Sequence, residues 1–126
     1  MTDDPLYDKG MKVRREVLGD DHVDRVMETT TRLTQPFQEA ITRFAWGDVW
    51  SRETLDRRTR SAITLALLAG LGREPELEMH VRAGLRNGLT PAEIAEVFLH
   101  TAVYAGLPTG NRALAIAQKV LEEEQG

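Results

Sequence analysis

The chain has 126 residues, 41% of them hydrophobic and 29% charged, with a formal net charge of −4. That is enough apolar material for one core and one domain over residues 1–126, with no basic excess to neutralise nucleic acid and no run near the ~20 apolar residues that span a bilayer. Cysteine is absent, which excludes disulfides, thiolate metal sites, iron–sulfur clusters and thiol nucleophiles.

The opening Met1-Thr2-Asp3-Asp4-Pro5 is acidic and has no apolar h-region, so a cytoplasmic protein is expected. Pro5 after two aspartates predicts a first helix running toward Gly19, weakened by Gly10, with a short second helix from about Asp21 to Thr29. Thr34 or Gln35 before Pro36 opens a helix to about Trp46, with Phe37, Ile41, Phe44 and Ala45 at helical spacing and Gly47 as its stop. An irregular connector then runs to Leu55, the kind of segment that often carries function.

Asp56 can cap a helix to Leu71 that is apolar almost all round beyond Arg60, and Gly72 ends it. Pro75 restarts the chain, with Leu77, Val81 and Leu85 on the inner face of a helix that closes at Asn87-Gly88. Thr90, Pro91 and Glu93 form a capping-box start for a helix through Ile94, Phe98 and Tyr104 to Gly106, again apolar on more than one face. A last helix from about Asn111 ends in Glu122-Glu123-Glu124. The reading is an all-α bundle of six to seven helices. Two helices with more apolar surface than a small domain can cover point to a homo-oligomer.

No phosphate-binding glycine loop, Gly-x-Ser-x-Gly elbow or His-Glu-x-x-His pair is present. Of the three histidines, His22 stands in an acidic surface-like stretch and His100 among apolar residues of a helix. Helical spacing puts His80 on one face with Leu77, Val81, Gly84 and Leu85, within an apolar stripe where its ring nitrogens need partners. It is either a core or interface histidine bonded to a backbone carbonyl, or a general acid oriented by Glu76 one turn earlier. Glu76 is equally suited to complement the helix dipole. Trp46, Trp50, Arg52, Arg57, Arg58 and Arg60 offer flat apolar walls and forks for a carboxylate, or else core contacts. Tyr104 either donates to a substrate oxygen or reaches solvent.

In order along the chain, Phe44-Ala45-Trp46-Gly47-Asp48-Val49-Trp50-Ser51-Arg52, Arg57-Arg58-Thr59-Arg60, His80-Val81-Arg82-Ala83-Gly84-Leu85-Arg86-Asn87-Gly88-Leu89-Thr90 and Tyr104-Ala105-Gly106-Leu107-Pro108 with Asn111 resemble the carboxymuconolactone decarboxylase family. The resemblance runs from about Leu6 into the last helix. It implies the alkylhydroperoxidase-D-like fold, in trimers or hexamers. The thiol-peroxidase branch of that superfamily carries two cysteines where this chain has Arg73 and Glu76, so that redox cycle is closed to it.

The activity implied by the resemblance is conversion of 4-carboxymuconolactone, a small dicarboxylate lactone, into 3-oxoadipate enol-lactone and CO2 in protocatechuate breakdown, with no metal and no added cofactor. Electrons released on C–C cleavage flow into the lactone carbonyl, so the substrate is its own electron sink. The protein must hold a dianion, stabilise a dienolate and protonate a ring carbon. On this basis His80 is the expected general acid, oriented by Glu76, with Tyr104 as a secondary donor. Arg52 and Arg60 are the expected carboxylate anchors and Trp46 the wall. A related decarboxylase acting on another small lactone or β-keto acid, and a non-catalytic helical oligomer, are the alternative readings.

Overall fold

The helical punctuation of the sequence becomes seven α-helices and one π-helical stretch in the computed structural model, which describes residues 4–125. No strand occurs among the described residues. The chain divides into two compact units, one ending at Arg57 and the other starting at Arg58.

The first unit carries α1 (Pro5–Leu18), α2 (Asp20–Thr29), α3 (Gln35–Ile41) and a π-helix (Thr42–Val49). Asp4 caps α1 by accepting from the Tyr7 amide at 3.0 Å, with Pro5 in the first turn, where a missing N–H costs nothing. Gly10, Val13, Arg14 and Val17 form the buried stripe of α1, at the i, i+3, i+4, i+7 spacing of one helix face. Gly10, read from the sequence as a weakness, is required by packing: a Cβ there would stand 1.9 Å from the Thr42 carbonyl oxygen.

The structure corrects the sequence reading at Gly47. The helix does not stop there but continues in π form to Val49, and the Trp50 amide donates to Ala45 O at 2.8 Å, the i→i+5 spacing of that form. Gly47 serves close approach instead of termination, since a Cβ on it would lie 2.7 Å from the Leu6 carbonyl oxygen. Val13, Val17 and Trp46 make the core of this unit, with Ala45 and Trp50 packed against them.

One member of the α1 stripe is charged. Arg14 is buried, donating through Nη1 to Thr42 Oγ1 at 3.1 Å and through Nη2 to Gln38 Oε1 at 2.9 Å. Burial holds its pKa below the usual arginine value.

The second unit holds α4 (Arg57–Leu71) from its second residue onward, α5 (Glu74–Arg86), α6 (Pro91–Ala105) and α7 (Leu107–Gln125). The expected capping box is present: Glu93 N donates to Thr90 Oγ1 at 3.1 Å and Thr90 N to Glu93 Oε1 at 2.9 Å. The last helix starts at Leu107 rather than near Asn111, because Gly106 at φ 105° breaks the chain sharply and Pro108 is tolerated in the first turn. Gly110 lets α7 close on α6, for a Cβ there would be 2.6 Å from Ala102 Cβ.

Leu65, Leu77, Val81, Ile94, Phe98, Ile116 and Val120 fill the core of this unit. Truncating the fully buried Phe98 to alanine would cost about 3–5 kcal/mol. Arg82 of α5 pairs with Glu78 and with Glu123 of α7 at the surface.

The two-faced character expected of α4 and α6 is visible within this unit. Ser61, Leu65 and Ala69 of α4 are buried while Ile63, Leu67 and Leu71 are exposed; on α6, Ile94 and Phe98 are buried while Leu99, Val103 and Tyr104 are exposed.

Candidate functional site

His80 lies on α5, between the buried Leu77 and Val81 and one turn before the buried Gly84. It is half-buried, at the edge of the inward face rather than in its middle, so the ring has access both to protein partners and to a ligand. Glu76 is exposed in the first turn of the same helix, where its charge complements the helix N-terminus.

Arg60 stands in the first turn of α4, half-buried, next to Ser61. Ser61 Oγ accepts a hydrogen bond from Asn87 Nδ2 at 3.2 Å, which joins the end of the His80 helix to the turn that carries Arg60. Arg58 is paired with Glu93. That pair ties Arg58 of α4 to the first turn of α6.

Tyr104 is 81% exposed near the end of α6, and its ring centroid lies 5.4 Å from that of His100. Both line an apolar groove of 440 Å³ with Ile63, Leu67, Gly70 and Val97. His80 is not among the groove's lining residues, so the structure groups Tyr104 with His100 instead. His100 was read from the sequence as lying among apolar residues, and it does so on an exposed face.

In the first unit the two indoles part company. Trp46 is only 6% exposed and belongs to the core, whereas Trp50, its ring centroid 5.2 Å away, also lines a depression of 330 Å³ with Ser51, Arg52, Leu55 and Arg57. Arg52 is exposed in that depression. The indole beside Arg52 is thus Trp50, with Trp46 behind it as support. The sequence held a partial signal for this, since Trp46 falls at the end of the expected helix and Trp50 lies in the connector.

His22 also differs from its sequence context of aspartates. Burial pushes its pKa below the ordinary histidine value, and the charges of Arg25 and Arg14 push it the same way. Asp20 and Asp24 are turned to Arg15, at 3.1 and 2.8 Å.

Comparison with known proteins supplies what geometry alone leaves open. Over 123 residues, 98% of this chain and 92% of the relative, the sequence is 50% identical to a 4-carboxymuconolactone decarboxylase of Acinetobacter baylyi. It is 44% identical over 118 residues, 94% of this chain and 82% of the relative, to a nitrosuccinic acid decarboxylase of Metarhizium robertsii. A 48-residue 4-carboxymuconolactone decarboxylase sequence of Pseudomonas putida, matched over its whole length and 38% of this chain, is 54% identical. Residues 35–119, which include Trp46, Arg52, Arg60, Glu76, His80 and Tyr104, match one family as a whole. The chain belongs to the carboxymuconolactone decarboxylase family.

Proposed function

We propose that this protein is a carboxy-lyase that converts 4-carboxymuconolactone into 3-oxoadipate enol-lactone and CO2, using no metal or added cofactor. The observation that carries this reading is the 50% identity, over 98% of the chain, to the Acinetobacter baylyi decarboxylase. The family match crosses the boundary after Arg57, which supports reading both units as one domain.

The chemistry divides into three tasks. The C–C bond to the departing carboxylate breaks, its electron pair moves through the ring double bond to the lactone carbonyl oxygen, and the dienolate takes a proton on a ring carbon. Arg52 and Arg60 are the proposed anchors for the carboxylates, with charge-assisted forks suited to them. His80 is the proposed proton donor, Glu76 its orienting acid and Tyr104 a secondary donor to the dienolate oxygen. Trp46 acts from behind Trp50, stiffening the wall beside Arg52. The exposed apolar faces of α4 and α6 support a homo-oligomer, for which trimers or hexamers are proposed.

A second reading draws on the nitrosuccinic acid decarboxylase relative. Nitrosuccinate is also a small dicarboxylate with an internal electron sink, there a nitro group, so an anion-binding, proton-donating site suits both compounds. The two are separated by measuring CO2 release from each and comparing kcat/KM. Carboxymuconolactone is expected to be preferred, with turnover undiminished by a chelator. Activity abolished by a chelator and restored by a divalent ion would overturn the cofactor-free proposal. His80→Ala is expected to lower turnover by ~10²-fold, and near-normal turnover in that variant would make His80 structural.

A further inference from the structure

The turn between α5 and α6 is tied to the first turn of α4 at two polar points. Asn87 Nδ2 donates to Ser61 Oγ at 3.2 Å, and Ser61 is 2% exposed. Glu93, whose Oε1 completes the capping box on Thr90, gives its other carboxylate oxygen to Arg58. Gly88, at φ +103°, follows Asn87 closely past the same arginine: a Cβ there would meet Arg58 Cδ at 3.8 Å.

Leu65 and Ala69 of α4 share a buried apolar core with Leu77 and Val81 of α5. Where the helices meet, a Cβ on Gly84 would stand 3.2 Å from Leu89 Cδ1, 3.5 Å from Leu65 Cδ1 and 4.0 Å from Ser61 Cβ, so leucine methyls rest on the glycine beside the serine. Such methyl contacts set how closely the helices approach but are non-directional, whereas the serine beside them offers a directional partner. A buried polar bond has a narrow geometric optimum, and fixing register is the best-attested use of such groups in protein interiors.

We propose that Asn87 and Ser61 are positioning residues for the reaction: their bond, reinforced by Arg58 and Glu93, fixes the Arg60 turn of α4 against the α5 helix that bears His80. Asn87 follows His80 by seven residues, about two helical turns, so α5 transmits the register as a rigid rod. The proposal rests on the decarboxylase reading for the roles of Arg60 and His80. Displacement of an anchor by about 1 Å is enough to lower turnover by orders of magnitude.

The test is a double-mutant cycle of Ser61→Ala, Asn87→Ala and the pair, with kcat/KM on 4-carboxymuconolactone and calorimetric affinity for succinate as readouts. Ser61→Ala removes a single oxygen and serves as the variant that keeps the fold. Each single variant is expected to lose about tenfold in kcat/KM and in succinate affinity, and the pair no more than either alone. Arg82→Met, which removes the surface pairs between α5 and α7, is expected to lower Tm with kcat/KM unchanged. Additive losses, or a lower Tm with kcat/KM and affinity intact, would overturn the positioning role. A wild type that binds succinate but leaves the lactone untouched would sink the decarboxylase reading alone, with the clamp then judged by affinity. A wild type that does neither overturns both.

Discussion

His22 shows how far a residue's surroundings can depart from its neighbours in sequence. Asp20, Asp21 and Asp24 would raise its pKa if they faced it, yet the folded chain lowers it, first by burial and then by Arg25 and Arg14. The sign of the linkage follows. A histidine whose folded pKa lies below the unfolded value of about 6.5 adds stability that is complete above that pH and is lost as pH falls through the folded pKa. Thermal melts at pH 7.5 and pH 5 should therefore differ less for His22→Asn than for the wild type; an equal fall in Tm would remove His22 from the account.

Arg14 was hidden for a related reason. Its place at i+4 from Gly10 in an otherwise apolar stripe was legible, but only the fold reveals that Gln38 and Thr42 receive its fork. The catalytic candidates divide similarly. The spacing on α5 placed His80 near an inward face, while the grouping of Tyr104 with His100 depends on which side of α6 the unit leaves open.

Elements were read best where local chemistry decides them. The Thr90 to Glu93 capping box needs only four consecutive residues, and α6 starts where that box predicts. The π-helix needed more than local rules. Gly47 is a helix stop by propensity, but Leu6, forty-one positions earlier in the chain, uses the gap where its side chain would be. The same long-range logic applies to Gly10. Gly10→Ala improves intrinsic helix propensity, yet the added methyl collides with the Thr42 carbonyl, and the net effect is expected to be a loss of about 1–3 kcal/mol in denaturant unfolding. A variant as stable as the wild type would mean that α1 and the π-helix can separate without cost.

For the molecule as a whole, fold class was legible because the segments with a regular period carried the helical one and none alternated. What the sequence also indicated, through two helices apolar on several sides, is surface that one copy leaves uncovered. Leu67, 58% exposed, lies in the apolar groove with Ile63 and Tyr104. Patches of this kind mark interaction sites on soluble proteins. If copies of the chain assemble through it, Leu67→Lys should shift sedimentation toward smaller species, because a buried unpaired ammonium costs several kcal/mol. Unchanged sedimentation would place the contact elsewhere.

The pairing of Trp46 with Trp50 gives the protein a built-in optical reporter. These are the only two tryptophans in the chain, and both lie in the first unit, one in its core and one lining the Arg52 depression. Emission excited at long wavelength therefore comes from that unit alone. Quenching or a spectral shift on adding a dicarboxylate would be a signal from the neighbourhood of Arg52, obtained without a label and without turnover.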